Sequence, residues 1–291
     1  MGPFTAATHH DILVLLVQLG ALLVTARLLG ELSSKLGLPP VIGEILAGIF
    51  LGPSLLSGLF PPLAQWLVPQ TPVQWALLDV VALLGAMFLL LLTGLETDLA
   101  LIRRHARTAV GVSLGGILTT FASGFVLGMY IPDSLLGAPH QRPVFALFMA
   151  TAMSISAIPV IAKVLMDLQL MRRDIGQTII AAGMSDDTIG WILLSVVAGL
   201  AGGMGLSGVH VLKAIGFVSI FMIVSFTAGR WLAKRVLALV QDRLSSPYRL
   251  LTFVVLFMLA WGAFSQALGL EAVLGAFVIG VIFGRLFAVG R

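Results

Sequence analysis

The chain has no cysteine among its 291 residues, and only 10% of them are charged. Without cysteine there is no disulfide, no thiol nucleophile and no thiolate metal site. Soluble domains carry about 25% charged residues, so the scarcity of charge excludes an ordinary soluble domain. Histidine is sparse as well. His9, His10, His105, His140 and His210 fall in loops or at the ends of apolar stretches, without metal-ligand spacing. No basic segment precedes the first apolar stretch, and Arg27 lies near its end. That stretch therefore reads as a retained span rather than a cleaved signal peptide.

What is present is apolar: 59% hydrophobic residues and a mean hydropathy of +1.08. A helical span needs about 20 mainly apolar residues. Nine stretches qualify, approximately 11–30, 40–58, 75–97, 107–131, 143–166, 174–201, 209–229, 249–268 and 270–287, with 229–248 ambiguous. The expected fold class is an all-α polytopic membrane protein embedded in the lipid bilayer. The net charge of +4 does not point to nucleic acid. Basic residues instead occupy alternate connections, as the positive-inside rule requires. They are Arg27 with Lys35, Arg103 and Arg104 with Arg107, Arg172 with Arg173, the group from Arg230 to Arg249, and Arg285 with Arg291. Arg142 is the exception. Nine spans with this bias place the N-terminus outside and the C-terminus in the cytoplasm, across the cell's inner (plasma) membrane.

One segment occurs twice. GLPPVIGEILAGIFLG (37–52) and GLEAVLGAFVIGVIFG (269–284) align without a gap at an offset of 232 residues. An odd number of expected crossings separates them, so the copies run in opposite directions. That is an inverted-topology repeat, common in secondary transporters. The first repeat is expected over about 11–201, a linker helix over about 209–229, and a partial second repeat over about 249–291. The partner of the third span is expected to start near position 307 by the same offset, past Arg291. The expectation is a fragment of a protein of about thirteen spans. The pairs Gly48/Gly52, Gly111/Gly115, Gly124/Gly128 and Gly280/Gly284 have the spacing of close helix packing.

The chemistry gathers at Asp186 and Asp187, near the centre of the apolar run from Asp174 to Ala201. One carboxylate at the bilayer midplane costs roughly 2.5–3.5 kcal/mol on insertion scales, and two neighbours repel each other. On a helix the pair diverges by about 100°, so the two cannot do the same job. Hard carboxylate oxygens suit alkali cations better than transition metals. A group that holds either a proton or Na⁺, and not both, is the physical core of an exchanger. The preceding span carries Thr151, Ser154 and Ser156, whose hydroxyls can re-satisfy backbone groups or coordinate a cation. Pro159 removes a helix hydrogen bond, so a break is expected near 154–159. Irregular backbone at membrane depth is tolerated where it is buried in protein or lines a cavity. Lys163, four residues on, either snorkels or offsets the charge of the broken helix or the carboxylates. Glu44, where the second copy has Ala276, is expected to be a structural carboxylate bonded to hydroxyls or to an arginine. Asp79 is expected at an interface. Glu96 and Asp98 are expected in a solvated cluster with Arg103 and Arg104, and Lys213 to snorkel.

These motifs, with FLLLLTGLETDL (88–99), TAMSISAIPVIAKVL (151–165) and GMSDDTIGW (183–191), resemble the monovalent cation:proton antiporter-2 family along essentially the whole chain. The resemblance implies an inverted-repeat sodium/proton antiporter-type fold with broken helices, here with the second repeat incomplete. A core domain would shift against a dimerisation domain of a homodimer. It implies that Asp187 binds the ion, that Asp186 pairs with a lysine of a later helix, and that Thr151 and Ser154 match an unwound stretch. The aspartate pair resembles electrogenic Na⁺ (or Li⁺)/H⁺ exchangers. The potassium-efflux, K⁺/H⁺ branch tends to have Gln-Asp. No cofactor and no metal beyond the transported cation are implied. The competing readings are K⁺/H⁺ exchange and a truncated product that does not transport. Intramembrane aspartyl proteolysis needs facing carboxylates that share a proton, and a serine protease needs a histidine within a span. Neither pattern is present, so no enzyme is expected.

Overall fold

A computed structural model describes residues 6–97, 99–136, 142–201, 208–243 and 247–289. Among the described residues there are thirteen α-helices and no strand. Six helices are long and apolar enough to cross a membrane, seven when one bent pair counts as a single span. Helices also stand at the two remaining expected positions, 174–201 and 270–287. The chain divides into two compact units, Met1–Phe88 with Lys163–Gln169, and Leu89–Ala162 with Leu170–Arg291.

In the first unit, α1 (His9–Lys35) opens on a capping box. The Thr8 hydroxyl accepts the Asp11 N–H, and the Asp11 carboxylate accepts the Thr8 N–H, satisfying two of the helix's orphan donors. The Gln74 amide donates to the other Asp11 oxygen at 3.0 Å, which makes this carboxylate fully engaged. Helix α2 (Pro40–Leu51) does not run on to residue 58 as one rod. It bends by 53° at Gly52 into α3 (Pro53–Leu59). Pro53 takes the first helical position, where its missing N–H costs nothing. Helix α4 (Pro61–Leu67) closes a small cluster of Leu56, Ala64 and Val68. Helix α5 (Pro72–Glu96) begins in this unit and ends in the other.

In the second unit, α6 (Leu99–Tyr130) lies against α7 (Arg142–Ser154). A Cβ on Gly128 would come within 2.5 Å of the Ala146 Cα, and one on Gly124 within 2.8 Å of the Ala150 Cα. Small residues let these backbones touch. Helix α8 (Ile158–Asp167) follows after a gap, and α9 (Asp174–Ala201) packs on α6 through Ala109, Ala181 and Ala182. Arg142, the exception to the charge rule, donates to the Met129 and Ile131 carbonyls at 2.8 and 2.7 Å and pairs with Asp133. It is a cation at the C-terminal end of α6, consumed locally. The ambiguous stretch after residue 229 is helical. Helix α10 (Gly208–Val224) runs through a π turn at Ser225–Gly229 into α11 (Arg230–Arg243). Helices α12 (Pro247–Ala267) and α13 (Ala272–Val289) complete the unit.

The sequence repeat is also a backbone repeat. Gly37 and Gly269 both have positive φ, 77° and 75°, the left-handed C-cap conformation that glycine adopts without penalty. Leu38 N–H donates to the Ser33 carbonyl, and Leu270 N–H to the Ser265 carbonyl, 232 residues on in each case. A Cβ on Gly43 would meet the Leu29 carbonyl oxygen at 2.0 Å, and one on Gly275 the Trp261 carbonyl oxygen at 2.3 Å. Each is again separated by the same offset, so the helix–turn–helix of α1–α2 recurs in α12–α13 almost bond for bond.

Candidate ion site

The chain between α7 and α8 leaves the helix at residues 155–157. Pro159 does not interrupt a helix from within. It is the second residue of α8, where it gives up only an orphan N–H. The helix lost is the turn before it, because the proline ring excludes a helical carbonyl four residues back, at Ile155. The break exposes the last carbonyls of α7 and the first N–H groups of α8, and two half-helix ends of opposite polarity face the gap.

Asp186 on α9 is half-buried beside this gap. Its Oδ2 accepts a hydrogen bond from the Ser156 hydroxyl at 3.1 Å. Its Oδ1 is buried and has no hydrogen-bond partner among the described residues. One oxygen is thus oriented by a residue of the unwound stretch, and the other keeps free acceptor capacity for a proton or a cation. Small residues hold α9 close to the gap. A Cβ on Gly190 would strike the Ile155 side chain at 2.7 Å, and Gly183 faces Ile158 and Ile161. The backbone at Asp187 is helical, but its side chain lies outside the described residues. Asp98, and the side chains of Arg103, Arg104 and Lys213, lie outside them too.

Thr151 and Ser154 stand in the last turn of α7, not in the unwound stretch that the resemblance suggested. Both are buried. Their hydroxyls donate to the Leu147 and Ala150 carbonyls at 2.9 and 2.7 Å, and Thr120 donates weakly to Ser154 at 3.4 Å. Those carbonyls already accept N–H groups within α7, so this back-bonding satisfies the two buried hydroxyls and leaves the open end of the helix uncapped. Among the three hydroxyl candidates, only Ser156 meets an aspartate in the described contacts.

Lys163 pairs with carboxylates within the first unit. Its ammonium donates to Asp167 at 2.8 Å, one helical turn on, and lies 3.8 Å from Glu44. Glu44 therefore has a lysine partner rather than the arginine or hydroxyls expected. Asp167 escaped the sequence reading because it sits at a helix end, although the Lys163/Asp167 spacing of four is itself a pairing signal. Glu96 reaches Arg172 at 3.9 Å; the side chains of Arg103 and Arg104, expected beside it, lie outside the described residues. Asp79 is exposed on α5. Gln177 on α9, also not foreseen, is fully buried and donates to the Met171 carbonyl at 2.5 Å, which anchors the start of the aspartate helix.

The profile of the transmembrane sodium/hydrogen exchanger family matches residues 20–289. Cation/H⁺ antiporter 20 of Arabidopsis thaliana is 34% identical over 92% of this chain and 32% of its own length. Na⁺/H⁺ antiporter NhaS4 of Synechocystis is 31% identical over 95% of this chain and 67% of its own. K⁺/H⁺ antiporter 1 of Saccharomyces cerevisiae is 28% identical over 98% of this chain and 33% of its own. The chain thus spans about a third of the plant and yeast relatives and two thirds of the cyanobacterial one. Those relatives are transporters rather than enzymes. The break between α7 and α8, the aspartates of α9 and the matched profile lead to one assignment: the chain is a multi-pass membrane protein that belongs to the sodium/hydrogen exchanger family of monovalent cation:proton antiporters.

Proposed function

We propose that this chain carries the ion-handling half of a cation:proton antiporter that exchanges Na⁺ or Li⁺ for protons by alternating access. The observation that carries the proposal is the Asp186 carboxylate, bonded to Ser156 in the helix break through one oxygen and left with a buried, unbonded second oxygen. A carboxylate held away from water is stable only when neutral or paired. Proton and cation therefore compete for it, and their mutual exclusion couples the two fluxes. Asp187, one residue on, is assigned as the principal cation and proton carrier, and Asp186 as the neighbour that orients and balances it. Thr151 and Ser154 support the broken helix, and Ser156 lines the site. The protein works as a homodimer in the plasma membrane, with its N-terminus outside, as the distribution of basic residues supports.

The test uses the complete polypeptide in everted vesicles with a pH-sensitive dye. Asp187→Asn is expected to abolish sodium-dependent dequenching, while Asp79→Asn is expected to leave it intact. Normal exchange by the Asp187 variant would refute the assignment. K⁺/H⁺ exchange is the second reading, favoured by the similarity to the yeast K⁺/H⁺ antiporter. Competition between K⁺ and Na⁺ in the same assay separates the two. Absence of any exchange by the complete polypeptide would favour a non-transporting product.

A further inference from the structure

Ser113 on α6 is 2% exposed, and its Oγ has no hydrogen-bond partner among the described residues. A serine or threonine inside a helix ordinarily donates back to a carbonyl three or four residues earlier. Thr119, Thr120 and Ser123 of the same helix do so. Ser113 does not, so its hydroxyl is left for a group outside its own helix. A buried polar group without a partner is costly, and one retained in a helix–helix seam calls for a reason.

The helix registers place this hydroxyl. Gly124 meets Ala150 and Gly128 meets Ala146, so α6 and α7 are antiparallel. Gly190 meets Ile155 and Gly183 meets Ile158 and Ile161, so α9 is antiparallel to that run and parallel to α6. Ala109 of α6 clusters with Ala181 and Ala182 of α9. One turn on from Ala109 is Ser113, and one turn on from Ala181 and Ala182 are Ser185 and Asp186. Ser113 therefore comes level with Asp186. The buried stripe of Ala109, Ser113 and Ile117 continues at helical spacing to Thr120, which donates to Ser154 at the edge of the break. The stripe is thus fixed at one end on the aspartate helix and at the other on the broken one.

Asp186 Oδ1 is buried and unbonded as well. Two orphaned oxygens, one neutral and one acidic, stand level on facing helices, and neither bonds to the other. A third group bound by both would satisfy them together. We propose that Ser113 is a further residue of the ion site, whose hydroxyl oxygen is a neutral ligand of the transported monovalent cation, shared with the free oxygen of Asp186. The inference rests on the ion-site reading and adds a third helix to it. A hydroxyl offers lone pairs without charge. It therefore bears on which cation is held and how tightly, and leaves the exchange of charge to the aspartates.

The test compares Ser113→Ala, Ser113→Thr and the exposed control Thr119→Ala in the complete polypeptide, with NaCl, LiCl and KCl as probes. Without these cations an orphaned buried hydroxyl only destabilises, so Ser113→Ala is expected to melt at or above the temperature of the unsubstituted protein. A bound cation raises the melting temperature according to its occupancy, and Ser113→Ala is expected to lose most of that rise. In the dye assay its half-saturating cation concentration is expected to increase about tenfold or more, with the maximal rate within about twofold. Ser113→Thr, which keeps the hydroxyl, is expected to recover most of the affinity, and Thr119→Ala to match the unsubstituted protein. An unchanged half-saturating concentration with an unchanged cation-induced rise in Ser113→Ala would overturn the proposal. It would leave the Asp187 assignment standing, since Asp187→Asn tests that separately. A lower maximal rate at the same half-saturating concentration would reduce Ser113 to a packing role and equally overturn the proposal. No effect of any of the three cations on the unsubstituted polypeptide would overturn both readings.

Discussion

Gly43→Ala and Gly275→Ala should be among the most damaging single-methyl changes in this protein, and equally so. In α2 the new Cβ would sit 2.0 Å from the Leu29 carbonyl oxygen and 2.6 Å from the Gly30 nitrogen. In α13 it would sit 2.3 Å from the Trp261 carbonyl oxygen and 2.6 Å from the Gly262 nitrogen. All of these neighbours are backbone, so no side chain can swing aside. Relief requires the paired helices to separate by about 1 Å, which forfeits a quarter to a half of each dispersion contact along the seam. Overpacking of this kind costs about 1–3 kcal/mol, reduced by the roughly 0.5–1 kcal/mol that alanine gains over glycine inside a helix. Gly20→Ala is the control, because α1 has nothing within 4 Å of that position, and it should stabilise by the same 0.5–1 kcal/mol. The two classes should therefore differ by about 1–3 kcal/mol, measured as the temperature at which the detergent-solubilised protein loses its monodisperse elution peak. Gly43→Ala melting together with Gly20→Ala would refute the close-packing argument. A large difference between Gly43→Ala and Gly275→Ala would refute the equivalence of the two turns.

Gly37→Ala and Gly269→Ala test the backbone alone, since both positions are open but have positive φ. Each should cost about 1–2 kcal/mol in the same melting assay, with Asn at either position milder than Ala. At the candidate site, Ser156→Ala removes the one described donor to Asp186. A loss of roughly 1–3 kcal/mol corresponds to initial exchange rates about fivefold to 150-fold lower in dye-loaded vesicles. Ser156→Thr, which keeps the hydroxyl, should retain most of the rate, and equal rates for the Ala and Thr variants would exclude a role for that bond.

Features written in consecutive residues were legible in the sequence. The repeat showed because backbone contact admits only glycine, and Gly43 and Gly275 cannot change without separating helices. The interruption at 155–157 showed because Pro159 constrains the carbonyl four residues earlier. Pairings that depend on tertiary placement did not show. Nothing in the spacing of Glu44 and Lys163 announces their approach, and Arg142 could be misread as a topology signal until its partners at the end of α6 were visible. The π turn was equally hidden. Its residues, Ser225 to Gly229, are ordinary in an apolar helix. What holds them is Trp261, whose indole N–H donates to the Ser225 hydroxyl at 2.9 Å and whose ring fills the space beside Gly229.

That π turn also acts as a phase shift. A helix advances about 100° per residue, so one extra residue in a turn rotates everything downstream by about that angle. Arg230, Lys234 and Arg235, the last stacked over Trp231 at 4.6 Å, take their compass bearing from the turn that Trp261 secures. An unbroken α-helix over the same residues would swing the basic flank by more than a quarter of a circle, whereas deleting one residue between Ser225 and Gly229 would remove the wide turn and leave that heading in place. A tryptophan of α12 thus sets the heading of the positive charge on α11.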